Sequence, residues 1–111
     1  MSNKSILKKA NKAVSDGDYE LFLSFCATDS NWVFIGDMEL EGIDAIRQYI
    51  LEAYLEQPRF NIYKMIAEGD FVSASGRISL KQMDGNWLEY QYCDVWEFKD
   101  GKLFKLKAFV I

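Results

Sequence analysis

No histidine occurs anywhere in the 111 residues. Its absence removes Ser-His and Cys-His nucleophilic systems, HExxH zinc sites and imidazole general bases, so proton chemistry would have to use Asp, Glu, Tyr or Lys. Proline occurs once, at Pro58, and no Pro-, Gly- or Ser-rich tract divides the chain. A single domain over residues 1–111 is expected, since this length supports one core and is too short for two. The two cysteines, Cys26 on a helical pattern and Cys93 on a strand pattern, form no C-x-x-C pair and read as buried free thiols. No apolar run approaches the roughly 18 residues of a spanning helix, and the opening MSNKSILKKANKA is a charged amphipathic helix without a signal-like apolar centre. A cytoplasmic protein is expected. Positive charge is scarce as well: 13 basic residues face 17 acidic ones, for a formal charge of −4. Such a chain offers no field for a phosphate backbone or an anionic lipid surface, so neither nucleic acid nor membrane is an expected partner.

Apolar residues make up 50% of the chain and aromatics 15%, enough buried surface to offset chain entropy and exclude disorder. Ile6, Leu7, Ala10, Ala13 and Val14 follow helical spacing, and Gly17 stops that run. Asp18 caps a second helix carrying Leu21, Phe22, Phe25 and Cys26, and SNWVFIG reads as a short strand. A third helix is expected from about Gly42 to Glu56, with Ile43, Ile46, Ile50, Ala53 and Tyr54 as its apolar stripe, Arg47 on its edge and Pro58 beyond its end. The second half reads as strands: RFNIYKMIAEG, FVSASGRISLK, WLEYQYCDVWEF and KLFKLKAFVI, joined by EGD, MDGN and KDG turns. Helices first and strands after point to an α+β fold with three N-terminal helices on one face of a mostly antiparallel sheet.

Alternation places Leu88, Tyr90, Tyr92, Asp94, Trp96 and Phe98 on one face of the third of these strands. The final strand can pair with it in two registers. A two-residue Asp100-Gly101 loop would carry Lys105 opposite Trp96 and Lys107 opposite Asp94, as an exposed ion pair. A four-residue turn from Phe98 to Gly101 with a bulged glycine would instead set Phe104 opposite Trp96, Leu106 opposite Asp94 and Ala108 opposite Tyr92. The second register is expected, because it sorts apolar from charged along both strands, whereas the first drives lysines into an aromatic wall.

On that register Asp94 is a lone carboxylate on an apolar concave surface. Its candidate pocket comprises Phe22, Trp32, Phe34, Tyr49, Tyr90, Tyr92, Trp96, Phe104, Leu106, Ala108 and Val110. Desolvation should raise the pKa of such an acid and suit it to donate a hydrogen bond or move a proton. A structural role is the competing reading, with Asp94 ionised against Arg47 or satisfied by a tyrosine hydroxyl. Asp16, Asp18, Asp29 and Asp37 fit caps and turns, while Glu39, Glu41 and Glu97 fit solvated faces. With no Gly-rich phosphate loop and no metal-ligand cluster, no cofactor or metal is expected.

The ordered pieces VSDGDYELFLSFCATDSNWVF, EGIDAIRQYI, IAEGDFVSASGRI and YCDVWEFKDGKLFKLKAF resemble the nuclear transport factor 2-like superfamily, in its SnoaL-like and ketosteroid isomerase-like branch. The resemblance implies a cone of curved sheet wrapped on helices around an apolar pocket, in proteins that usually pair through the sheet's outer surface. It places Asp94 at the strand position of the isomerases' oxyanion-hole acid. It also implies departures: the isomerases' general base falls on or near Phe34 and their oxyanion-hole Tyr on or near Ala10. The catalytic Asp of the related limonene epoxide hydrolases falls at Ala108. Scytalone dehydratase-like chemistry would need a histidine.

Two functions are expected from these features. One is binding of a small apolar or aromatic molecule, with Asp94 holding a carbonyl or hydroxyl and supporting cofactor-free isomerase, cyclase or lyase chemistry. The other is a non-catalytic homodimeric module associating through Trp87, Val95, Leu103 and Phe109 on the outer sheet face.

Overall fold

The computed structural model describes residues 2–111. Its elements run α1 (Asn3–Ser15), α2 (Tyr19–Ser24), β1 (Cys26–Phe34), β2 (Met38–Glu41), α3 (Ile43–Ala53), β3 (Arg59–Glu68), β4 (Phe71–Lys81), β5 (Trp87–Lys99) and β6 (Lys102–Val110). Side chains at the helix starts supply partners for otherwise unpaired amides: Ser2 accepts from the Ser5 N–H, and Asp18 accepts from the Leu21 N–H at 3.2 Å. The α+β expectation holds, with three helices packed on a curved, unclosed sheet.

The sheet order is β2-β1-β6-β5-β4-β3. Every neighbouring pair is antiparallel except β1 and β6, which run parallel. The strand seen in SNWVFIG is therefore longer than expected and begins at Cys26, placing that thiol in a strand rather than in α2. Helix α3 is shorter than expected: it ends at Ala53, where Tyr54 leaves the helical conformation and sets its ring at a tilt to Tyr19 and edge-on to Tyr49. The amphipathic stripes of α1 and α3 meet the concave face, so that Leu7, Ile46, Ile50, Val72 and Leu103 are fully enclosed.

The closing hairpin corrects the expected turn. Asp100 and Gly101 both have positive φ, 52° and 74°, and Lys99 faces Lys102, so this is the two-residue loop. The lysines nevertheless do not enter the aromatic wall, because a bulge follows. Phe98 faces Leu103 and Glu97 faces Lys105, which leaves Phe104 as the extra residue. The bulge reverses the alternation, so Trp96 faces Leu106 and Asp94 faces Ala108. Leu103, expected on the outer face, is instead fully buried in the core. Phe104, expected in the pocket, lies on the other side, 4.8 Å below the Lys99 ammonium and 5.3 Å from that of Lys105. At the same level β1 departs from regular pairing with β6 between Cys26 and Asn31, and the buried Ser30 hydroxyl lies 2.6 Å from the Ala27 carbonyl and 2.8 Å from that of Leu103. That hydroxyl satisfies backbone groups the irregular ladder leaves open.

Candidate functional site

A cavity of about 300 Å³ lies between the helices and the concave face of the sheet. Its floor is made where β4 and β6 present small residues on either side of β5. Asp94 is flanked by Ala74 on β4 and Ala108 on β6, and Tyr92 by Gly76 on β4. Ala108 lines the cavity, and a larger side chain there would fill the space in front of the acid. Along β5 the face formed by Tyr90, Tyr92, Asp94 and Trp96 lines the cavity, joined by Leu106, Ala108 and Val110 of β6. Strand β1 contributes Trp32 and Phe34, and the helices contribute Phe22 and Tyr49.

The aromatic side chains form one connected wall. Trp32 meets Phe22 at 5.9 Å and Trp96 at 5.8 Å between ring centroids, both edge to face, and Phe34 lies 5.1 Å from Tyr49. Phe60 of β3 closes another side by packing on Tyr92 at 6.2 Å. Among the described residues two polar atoms in this wall are buried without a partner, the Trp32 Nε1 and the Tyr92 hydroxyl.

Asp94 is half-buried, and it lines the cavity. Among the described residues no hydrogen bond or ion pair reaches its carboxylate. Burial pushes its pKa up to about 7, with no cation to oppose the shift. Neighbouring tyrosines respond to the same enclosure: burial first, and then the Asp94 charge, hold the Tyr92 hydroxyl well above the usual phenol range. Burial likewise raises Tyr54, followed by the charges of Tyr49 and Asp94. Tyr49 is raised by burial and then by the charge of Asp37.

Arg47, considered as a charge partner, does not meet Asp94. Its guanidinium donates to Glu20 at 3.0 and 3.2 Å and to Asp44 at 3.0 Å, because the edge of α3 that carries it faces α2 and solvent. Tyr54 at the end of α3, whose hydroxyl the sequence offers to the cavity together with that of Tyr49, does line it, and Asp37 in the β1–β2 turn and Asn11 of α1 join it without any such signal. For Asp37 and Asn11 a turn or a solvated helix face was the simpler local reading. Cys26 is buried and its thiol is pushed up to about 12 by that burial, which makes it a poor nucleophile. Among the described residues no group of three or more Cys, Asp or Glu side chains is placed to hold a metal ion, and no helix is long and apolar enough to cross a membrane.

No curated protein matches the sequence. Solved structures do match its fold. A candidate SnoaL-like polyketide cyclase from Shewanella putrefaciens superposes with a TM-score of 0.85 at 16% identity, over 99% of this chain and 90% of that one. An uncharacterised cystatin-fold protein from Novosphingobium aromaticivorans gives 0.85 at 19% identity, over 97% of each chain. TerC, co-crystallised with polyporic acid, gives 0.83 at 20% identity, over 96% of this chain and 88% of that one. At such identities the likeness establishes the fold alone. The sequence itself matches the family model described as a SnoaL-like domain over residues 7–106. With that match spanning nearly the whole chain and the helix-wrapped sheet in agreement, the chain belongs to the SnoaL-like family of the nuclear transport factor 2-like superfamily.

Proposed function

We propose that the protein binds a small apolar or aromatic molecule in the concave cavity, with Asp94 meeting the polar group of that molecule. The observation that carries this reading is an unpartnered carboxylate inside an aromatic enclosure. A structural acid would have a cation or several donors around it, because burying an uncompensated charge is costly. The cavity is about 300 Å³, compared with about 150 Å³ for an engineered apolar cavity that admits benzene, so a ligand of about two rings fits.

With its pKa near 7, Asp94 populates both protonation states at neutral pH, which suits it to give or take a proton. Cofactor-independent isomerase, cyclase or lyase chemistry is the reaction class this supports, with Asp94 as the acid or base. The fold neighbours described as a SnoaL-like polyketide cyclase candidate and as TerC with polyporic acid support a small-molecule role by analogy.

Native mass spectrometry of the gently purified protein tests the proposal. A bound organic molecule should be carried by the wild-type chain and reduced at least about tenfold in occupancy by Asp94→Asn, the loss expected for one hydrogen bond to a charged or strongly polar group. Undiminished occupancy in the variant would remove Asp94 from the site.

A second reading, association through the convex face, is favoured by the exposure of Ile66 (57%), Phe71 (51%) and Phe109 (43%) on that side, next to half-buried Val95. Leu103 is not available to it, and Trp87 is covered by the Arg59 guanidinium at 3.9 Å. Light scattering at micromolar concentration should then give twice the chain mass, and a monomer would reject it. The two readings use different surfaces and are compatible.

A further inference from the structure

The charge inventory of the cavity wall is one-sided. Nine of the nineteen lining residues are aromatic, two are aspartates and none is lysine or arginine. The arginines are engaged elsewhere: Arg47 with Glu20 and Asp44, Arg59 over Trp87, and Arg77 with Glu89 at 3.2 Å. We propose that the cavity selects an apolar amine, held as its ammonium ion against Asp94 within the aromatic wall, and turns away carboxylates. This rests on the reading of the cavity as a small-molecule site and adds the charge and class of its ligand.

Three physical terms favour the cation. Aromatic faces carry negative potential, and cages of them recognise ammonium groups. Asp94 lacks a counter-ion among the described residues, and an ammonium would supply one. Asp37 adds a second carboxylate to the wall, and its charge already bears on Tyr49. An anionic ligand would meet both carboxylates with no compensating charge in the wall, at a low local dielectric that strengthens the repulsion.

The groups around Asp94 fix how binding must depend on pH. Tyr90 and Tyr92 share its strand, Tyr49 and Tyr54 come from α3 and its end, and Asp37 comes from the β1–β2 turn. The strands on either side present only Ala74 and Ala108 to it, and α1 contributes Asn11. Burial raises Tyr49, Tyr54 and Tyr92 and so keeps them protonated at neutral pH, while it brings Asp94 to about 7, where it changes charge between pH 6 and 8. A primary alkyl amine, like the lysine side chain, remains protonated throughout that range. Its affinity should therefore rise with pH as Asp94 ionises.

Isothermal titration calorimetry with 2-phenylethylamine, 2-phenylethanol and 3-phenylpropionate tests this on the wild-type chain and Asp94→Asn. The amine should bind about tenfold more tightly at pH 8 than at pH 6, following the ionised fraction of Asp94, while the alcohol changes little. The carboxylate should bind weakest of the three. Asp94→Asn should lower amine affinity at pH 8 by about tenfold or more and leave the alcohol within about twofold, the alcohol also reporting that the cavity is intact. An alcohol that binds as tightly as the amine at pH 8, or an equal loss of both in the variant, would overturn the amine assignment and leave the small-molecule reading standing. Failure of all three probes to bind would overturn both.

Discussion

Asp94→Asn should stabilise the folded chain at pH 8 by about 2–4 kcal/mol and leave it nearly unchanged near pH 4. The carboxyl is raised by burial from its ordinary value of 3.8 to about 7. Between those values the folded form holds a proton that the unfolded chain releases. Wild-type stability should therefore fall as pH rises from about 4 to about 7, and remain low above that. The full gap corresponds to about 4 kcal/mol, and the water-facing part of a half-buried carboxylate lowers the realised figure. Asparagine keeps the shape and loses the charge, so its profile lacks this slope. Urea unfolding of both chains at pH 5, 7 and 8 checks the difference. Parallel profiles across that range would show that burial does not raise the Asp94 carboxyl in the folded chain. A residue whose removal strengthens the fold while weakening ligand retention is placed for use rather than for structure.

Gly76→Ala should destabilise by about 3 kcal/mol or more, through steric collision rather than backbone freedom. Gly76 sits in the middle of β4, with no positive φ to explain it. A Cβ there would come 2.1 Å from the Asn61 carbonyl oxygen and 2.9 Å from the Ile62 Cα, both backbone atoms of β3 that cannot swing aside. The pairing of β3 with β4 shifts register between Ile62 and Lys64, next to this contact. The irregularity and the glycine together let β3 lean over β4, which deepens the concavity that Phe60 closes. Thermal unfolding of the variant gives the measure. A melting temperature within a degree or two of wild type would mean that β3 tilts away without loss, and that the curvature does not depend on Gly76.

Much of this architecture was legible because it is written in local periodicity. The alternation of Leu88 to Phe98, the stripe of Ile43, Ile46 and Ile50, and the D-G turns each declare their element within a dozen residues. What escaped depended on distant partners. The bulge at Phe104 was missed because the need to turn Lys105 and Lys107 outward can be met at any point between the turn and Trp96. Parity demands one extra residue and does not say where. The parallel pairing of β1 with β6 has no signature in either strand alone. Arg47 was drawn toward Glu20 by the packing of α2 beside α3, which no spacing within α3 reveals. Asp37 resembles any turn aspartate until the sheet curls around it.

The position of β6 between β1 and β5 bears on how the chain is made. The bond from Ser30 to Leu103 joins residues 73 positions apart, and β1 has only its short hairpin with β2 until residues 102–110 have emerged from the ribosome. Until then α3 rests on β1 and β2, α1 rests on β3 and β4, and no strand joins these two parts of the sheet. Joining the two parts is therefore a late event in synthesis, completed when the final strand fills the gap between β1 and β5.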